Sequence, residues 1–138
     1  MSVEENKALV RWEVEEVWHK GNFMIVDEIY AVNFIDHSPL PGTMPDREGI
    51  KQFIRIIRDA FPDIKLTIED LIAEGDKVVE RVTATGTHTG EFMGITPTSK
   101  QITIPIVTIN RFIGNKIVER WSISDQLGMM HQLGVISS

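Results

Sequence analysis

Apolar positions recur at helical spacing through the first half of the chain and alternate with polar ones through the second half. Ser2-Val3-Glu4-Glu5 has the form of a capping box, with Ser2 as N-cap and Glu5 at the third helical position. Behind it Val10, Val14, Val17 and Trp18 fall on one stripe, so the first helix buries one face. Gly21 ends that helix, and Asn22 can start a second whose short apolar face is Met24, Ile25 and Ile29. Asn33 to His37 reads as a brief strand or extended exit. Ser38 to Asp46 holds three prolines and a glycine and reads as a loop. Asp46 then caps a third helix with a stripe of Ile50, Phe53, Ile54 and Ile57, closed by Phe61-Pro62.

Beyond Pro62 the residue types change. Lys65 to Ile72, Lys77 to Thr87, Gln101 to Phe112 and Lys116 to Ser124 are rich in Val, Ile and Thr and predict four strands. Glu74-Gly75-Asp76 and Gly114-Asn115 predict hairpin turns. Thr89 to Lys100 is a longer connection, and Gln126 to Gly134 a short helical end. Helices first and antiparallel strands second make an α+β fold rather than a doubly wound one. With no repeat or linker, residues 1–138 read as one domain. A curved antiparallel sheet with helices on one face can enclose a pocket, the natural binding site of so small a fold.

Charge narrows the partners. The net charge is −6, against a role on nucleic acid or an anionic membrane, which needs clustered Lys and Arg. The apolar share of 42% and charged share of 25% are those of a globular chain. No stretch approaches the ~20 apolar residues of a membrane helix, and Met1 to Lys7 is polar and acidic, unlike a secretory signal. A soluble cytoplasmic protein is the expectation. There is no cysteine, hence no thiol nucleophile or disulfide. The four histidines show no zinc spacing, so no metal is expected. Neither a dinucleotide or phosphate loop nor a Gly-x-Ser-x-Gly elbow occurs.

The remaining candidates are few. Asp125 ends the β-rich run and, on a period-two strand, shares a face with Glu119, Trp121 and Ile123. If that face is the concave one, an acid sits in an apolar pocket and becomes a better base. Asp125 is equally suited to cap the helix at Leu127. His88, at a strand end, can orient a carbonyl or be held by backbone. His37, beside Asp36, can serve the site or anchor a loop. Arg81 can balance Glu119 or bind a carboxylate. Trp121, Phe92, Met93, Phe61 and Met44 are candidates for the walls of a pocket for a flat hydrophobic substrate, as are Met129 and Met130. His19 and Lys20 suit the last carbonyls of their helix.

Together these stretches resemble a known family. Glu16-Val17-Trp18 with Gly21-Asn22, Phe34-Ile35-Asp36-His37, Arg47-Glu48-Gly49, Ala60-Phe61-Pro62-Asp63 and Glu69-Asp70 followed by Glu74 to Val79 carry the resemblance. So do Gly86 to Phe92, and Lys116 to Glu119 with Trp121, Asp125 and Leu127-Gly128. In this order they resemble the SnoaL-like polyketide cyclases, or ester cyclases, within the nuclear transport factor 2-like fold. The resemblance implies a cone-shaped α+β barrel, with N-terminal helices packed on a curved antiparallel sheet around a pocket. It implies an intramolecular aldol closure by acid/base chemistry without metal or organic cofactor. The family's acid/base aspartate falls at Asp125, the histidine of Gly-Thr-His at His88, and the Asp-His pair at Asp36 and His37. Ile95 to Ser99 and Met129-Met130-His131 depart from the family pattern and bear on substrate identity.

The same fold also hosts isomerases, epoxide hydrolases, hydroxylase-like proteins and non-catalytic binding modules. An epoxide hydrolase needs a water held by Asp, Arg and Asn, and the sequence displays no such cluster. An open sheet face carrying Val79, Thr83, Thr85 and Thr108 suits a two-fold homodimer.

Overall fold

The capping box forms: Ser2 Oγ accepts the Glu5 N–H at 3.1 Å and Glu5 Oε1 accepts the Ser2 N–H at 3.2 Å. It opens helix α1 (Val3–Glu13) in the computed structural model, which describes residues 2–136. Helix α1 continues into a π-helical turn, Val14–His19. Val10, Val14 and Val17 stay buried on one stripe, with Glu13 buried among them. The chain reverses at Gly21, with φ +73°, where Arg58 from the third helix lies so close that a Cβ would come within 2.7 Å of it. Arg58 Nη1 donates to the carbonyls of Trp18 and His19 at 2.5 and 3.1 Å. Those are the carbonyls the sequence assigned to His19 and Lys20. His19 Nε2 instead accepts the Leu66 N–H at 3.0 Å, and Lys20 pairs with Glu16.

Helix α2 (Met24–Ile29) leads directly into β1 (Tyr30–Asp36). After the proline loop, Asp46 Oδ1 accepts the Gly49 N–H at 2.9 Å and starts α3 (Arg47–Ala60). Strands β2 (Lys65–Glu74), β3 (Lys77–Thr87), β4 (Gln101–Ile113) and β5 (Lys116–Ser124) follow, then α4 (Gln126–Leu133). The sheet order is β1-β5-β4-β3-β2. Gly75 and Gly114 open two-residue hairpin loops at φ +59° and +60°.

The α+β architecture expected from the sequence is the one observed, with two corrections. Strand β1 pairs parallel to β5, Asp36 opposite Arg120, so the sheet is mixed rather than wholly antiparallel. Helix α3 lies between β1 and the hairpins, and this crossover lets β1 run in the direction of β5. Thr108 faces inward and is buried, so it does not share the outer sheet face with Val79, Thr83 and Thr85. The outer face exposes Val107 and Ile123 instead.

Burial explains why the helices stay on one side. Val78, Val82 and Ala84 of β3 and Ile102, Ile104 and Phe112 of β4 alternate toward the helices at period two. They join Val10, Val17, Ile50 and Ile54 from the helices in two adjoining apolar clusters. Each of these valine, isoleucine and phenylalanine side chains contributes roughly 1.5–3 kcal/mol on burial. Strand β5 stops opposite Ile106, so β4 continues unpaired on that side. Gln132 of α4 fills the gap, accepting the Thr103 N–H at 2.7 Å and donating to its carbonyl at 2.9 Å. Among the described residues no helix is long and apolar enough to cross a membrane.

Candidate functional site

Between the helices and the inner sheet face lies a cavity of about 220 Å³. An engineered cavity of about 150 Å³ holds a benzene ring, so this one admits a body somewhat larger than a single six-membered ring. Its walls change character along the strands. On β4 the inward residues run Ile102, Ile104, Ile106, Thr108, Asn110; on β3 they run Ala84, Val82, Glu80; on β5, Ser124, Ser122, Arg120. One end is therefore hydrocarbon and the other polar. Leu40, Pro41 and Met93 border both the cavity and an outer groove, which marks them as its rim. Met93 sits in a two-residue turn closed by mutual Phe92–Ile95 hydrogen bonds of 3.0 and 2.8 Å. Its φ of +49° is unusual for a side-chain-bearing residue. The segment is pinned to the end of α3 by the Thr89 and Gly90 N–H groups on the Ala60 carbonyl. Gly90 approaches that helix so closely that a Cβ would meet the Asp59 carbonyl at 2.1 Å.

Three hydrogen-bonded pairs make the polar end. Asn110 Nδ2 donates to Glu80 Oε2 at 2.7 Å. Tyr30 Oη donates to Glu13 Oε2. Arg120 Nη1 lies 3.2 Å from both carboxylate oxygens of buried Asp36, and its guanidinium stands 5.5 Å from the centre of the Phe53 ring. Burial pushes the Glu80 carboxyl up to about 8, reinforced by neighbouring Glu13 and opposed by the Asn110 hydrogen bond and by Arg120. Burial also raises Glu13, against the Tyr30 hydrogen bond and the Arg120 charge. Tyr30 is held well above the ordinary phenol range, by burial first and then by Glu13. At neutral pH Glu80 and Tyr30 therefore carry protons, and the Arg120 charge is matched by Asp36. Among the described residues no group of three or more His, Cys, Asp or Glu is arranged to hold a metal ion.

The residues singled out in the sequence divide. Phe61, Phe92 and Met93 line the cavity, together with Met129 and Met130. Asp125 does not: it is exposed, and its Oδ1 accepts the Gly128 N–H at 2.9 Å as the N-cap of α4. The reason is strand parity. Arg120, Ser122 and Ser124 face the cavity, so Glu119, Trp121 and Ile123 lie on the outer face, and the apolar surroundings expected for Asp125 are on the other side. On that outer face His37 stacks on Trp121, with centroids 4.8 Å apart and planes 7° from parallel. His37 Nε2 is 2.8 Å from Glu119 Oε2, and Arg111 Nε donates to Glu119 at 2.5 Å. Arg81 therefore does not balance Glu119; it pairs with Asp70 at 2.6 Å, facing solvent. Met44 is exposed in the proline loop. His88 is fully buried behind Phe61, 5.4 Å between ring centres, and is not on the cavity wall. Its Nδ1 accepts the Thr98 N–H at 3.2 Å, and its Nε2 has no partner among the described residues.

Residues 8–133 match the family model described as SnoaL-like polyketide cyclase. The chain belongs to the SnoaL-like polyketide cyclase family. Solved structures agree in fold. IdmH of Streptomyces antibioticus, named as a candidate polyketide cyclase, is 32% identical, with a TM-score of 0.82 over 94% of this chain and 98% of that one. A protein of Acidithiobacillus ferrooxidans carrying the same designation is 32% identical, with a TM-score of 0.82 over 99% and 100% of the two chains. AclR of Streptomyces galilaeus, named as a candidate hydroxylase, is 26% identical, with a TM-score of 0.84 over 99% and 89%. No curated protein matches the sequence.

In this SnoaL-like chain the polar end is built from residues that sequence reasoning passed over: Glu13, Tyr30, Glu80, Asn110 and Arg120. A signal for four of them was present. Glu13 lies on the apolar stripe between Val10 and Val17. Glu80 interrupts the inward series Val78, Val82, Ala84, Asn110 the series ending in Phe112, and Arg120 follows buried Val118 at period two. A charged or amide side chain at a position that periodicity assigns to the core needs a partner, and a partnered polar group in a core marks a network.

Proposed function

We propose that this SnoaL-like chain is a cofactor-independent enzyme that transfers a proton beside a carbonyl of a hydrophobic, oxygenated small molecule, in an aldol-type ring closure. The observation that carries this reading is Glu80: a buried, proton-holding acid at the polar end of an otherwise apolar cavity. A general base works best when its pKa lies near the working pH. A carboxyl moved toward neutrality by burial meets that condition, where one in water does not. Phe61, Phe92, Met93 and the isoleucines hold the hydrocarbon body, and the carbonyl end reaches Glu80. In the ionised fraction, which grows as pH approaches about 8, the Glu80 carboxylate takes the proton from carbon, and Arg120, fixed by Asp36, stabilises the developing enolate. The carbanion attacks a second carbonyl of the same substrate, and the new alkoxide takes up a proton. Asp125, the acid expected from the sequence to do this, serves α4 as its cap in this reading.

A second reading is favoured by one observation. Arg120, paired with Asp36 behind it, stands opposite Asn110 on the neighbouring strand, residue types suited to holding a water for epoxide opening, and the grouping was hidden in the sequence because its members come from three strands. Product mass separates the two, since epoxide opening adds the mass of a water and ring closure does not.

The proton-abstraction step has a direct test in 2-tetralone, a compact ketone, incubated with the protein in D₂O. The expected result is accelerated deuterium incorporation beside the carbonyl, reduced on the order of 10²–10⁴-fold in Glu80→Gln. Tetralone that binds without exchanging would make the protein a binding module. Assembly follows from the outer face, where Val107 and Ile123 are exposed beside Trp121. We propose a two-fold dimer of the chain through that face.

A further inference from the structure

A ring closure needs a second proton, delivered to oxygen, and Glu80 is occupied with the proton taken from carbon. Tyr30 lies on the cavity wall, as Glu80 does, and is hydrogen-bonded to Glu13. Both are buried: Tyr30 is 3% exposed and Glu13 4%. The π-helical turn beginning at Val14 follows Glu13 directly, and such turns recur at functional positions of helices. The Tyr30 ring is fixed edge-on to Phe34 at 4.8 Å, so its hydroxyl has a set direction. The charged groups of the polar end are Arg120 with its partner Asp36, and Glu80 with Asn110.

We propose that Tyr30 and Glu13 form a second proton-transfer couple, in which Tyr30 gives its hydroxyl proton to the oxygen that becomes the alkoxide and Glu13 resupplies Tyr30. This rests on the reading of Glu80 as the base. The heavy atoms of the Tyr30–Glu13 bond serve two proton arrangements. With Glu13 ionised, the phenol donates to the carboxylate. With Glu13 protonated, the carboxyl O–H donates to Oη, and the phenol O–H is free to point into the cavity. The step balances as follows. Glu80 carboxylate takes the carbon-bound proton. The electron pair left on carbon forms the new C–C bond to the acceptor carbonyl, whose π pair moves onto oxygen. That oxygen takes the Tyr30 proton, and Tyr30 takes the Glu13 proton. Glu80 ends protonated and Glu13 ionised. Water refilling the cavity after product departs returns the proton from one to the other.

Tyr30 is the single tyrosine of the chain, so its hydroxyl can be watched alone. Protein labelled with ¹³C at tyrosine Cζ gives one resonance. The probe is 4-nitrophenol, whose oxygen stands in for the alkoxide, with 4-nitroanisole as its oxygen-masked control; binding is measured by equilibrium dialysis. Bound 4-nitrophenol is expected to move the Cζ resonance and to be held as the phenolate, while 4-nitroanisole moves it little. Tyr30→Phe should weaken 4-nitrophenol about tenfold or more, the loss of a hydrogen bond to a charged group, and leave 4-nitroanisole unchanged. Without probe, and in a Glu80→Gln background so that Glu80 does not titrate, the Cζ resonance should move with pH as Glu13 ionises, and adding Glu13→Gln should abolish that movement. A Cζ resonance unmoved by bound 4-nitrophenol overturns the proposal, as does pH-dependent movement that persists in the Glu13→Gln, Glu80→Gln double variant or failure of the probe to bind. The tetralone exchange at Glu80 is a separate measurement, so loss of the couple leaves the base assignment standing and loss of the base shows there.

Discussion

Replacing Glu80 by Gln should stabilise the protein at high pH and leave it nearly unchanged at low pH. Gln keeps the carbonyl oxygen that accepts from Asn110 Nδ2 and the shape of the side chain, but it cannot ionise. In the wild type the Glu80 carboxyl stands at about 8 against an ordinary value of 4.5. The folded state thus holds a proton that the unfolded chain releases. Between those two values the native state binds more protons, so stability falls as pH rises. Below about 4.5 both states are protonated and the full stability is present; above about 8 the loss is complete. The displacement corresponds, at 1.36 kcal/mol per pKa unit, to an upper bound of about 5 kcal/mol. Relaxation and water penetration around a buried carboxyl lower the realised figure, and a loss of about 2 kcal/mol is already a large fraction of a domain's stability. The assay is urea unfolding of wild type and Glu80→Gln at a series of pH values from about 5 to 9. The difference between the two reports Glu80 together with the part of the Glu13 titration that depends on it, while carboxyls outside this network cancel. A difference that stays constant across that range would refute the assignment of a raised pKa to Glu80 and, with it, the physical basis of the base.

Three further expectations follow from the same geometry. Tetralone exchange should rise with pH through about 8, since only ionised Glu80 can take the proton; a rate flat from about pH 6 to 9 contradicts this. Asp125→Ala should cost about 1 kcal/mol in thermal or urea unfolding through loss of the α4 cap, and Asp125→Asn only a few tenths, with tetralone exchange preserved in both; loss of exchange in a folded Asp125→Asn would return the catalytic role to that residue. Sedimentation at micromolar concentration should give a dimer mass, and Ile123→Asp with Val107→Asp on the exposed sheet face should give a monomer; a monomeric wild type contradicts the assembly.

How much of this was legible in the sequence depended on periodicity. The capping box at Ser2, the Asp46 cap, the bounds of β3 and β5, and the hairpins at Gly75 and Gly114 all follow from local patterns and are all present. The parallel pairing of β1 was not legible, because it is set by the α3 crossover and not by any residue of the strand. The face of β5 was the decisive ambiguity. Its odd positions, Glu119, Trp121 and Ile123, are bulkier and more apolar than Ser122 and Ser124, so composition pointed to the wrong side. Only the register with β4, where Asn110 and Thr108 stand opposite Arg120 and Ser122, assigns the inward face. A one-residue change of parity moved the candidate acid from a pocket to a helix cap.

That same alternation accounts for the site. Strand β4 carries Ile102, Ile104 and Ile106 inward before Thr108 and Asn110, so the wall that packs the core is continuous with the wall that carries chemistry. The polar end sits where the two apolar clusters meet, between Val78, Ile117 and Phe112 on one side and Val82, Ile104 and Phe61 on the other. Apolar residues of the same volume there would join the clusters into one core, and replacing buried ionic groups in this way is often stabilising. Glu13, Glu80, Asp36 and Arg120 thus work against the fold's own stability, and their mutual hydrogen bonds reduce that cost without removing it. A buried network of that kind, open on one side to a cavity, is better explained by a functional role, such as the carbonyl chemistry proposed above, than by packing. Under the proposed function the apolar-to-polar gradient would also set orientation, with hydrocarbon against the isoleucines and the oxygenated end toward Glu80, Tyr30 and Arg120.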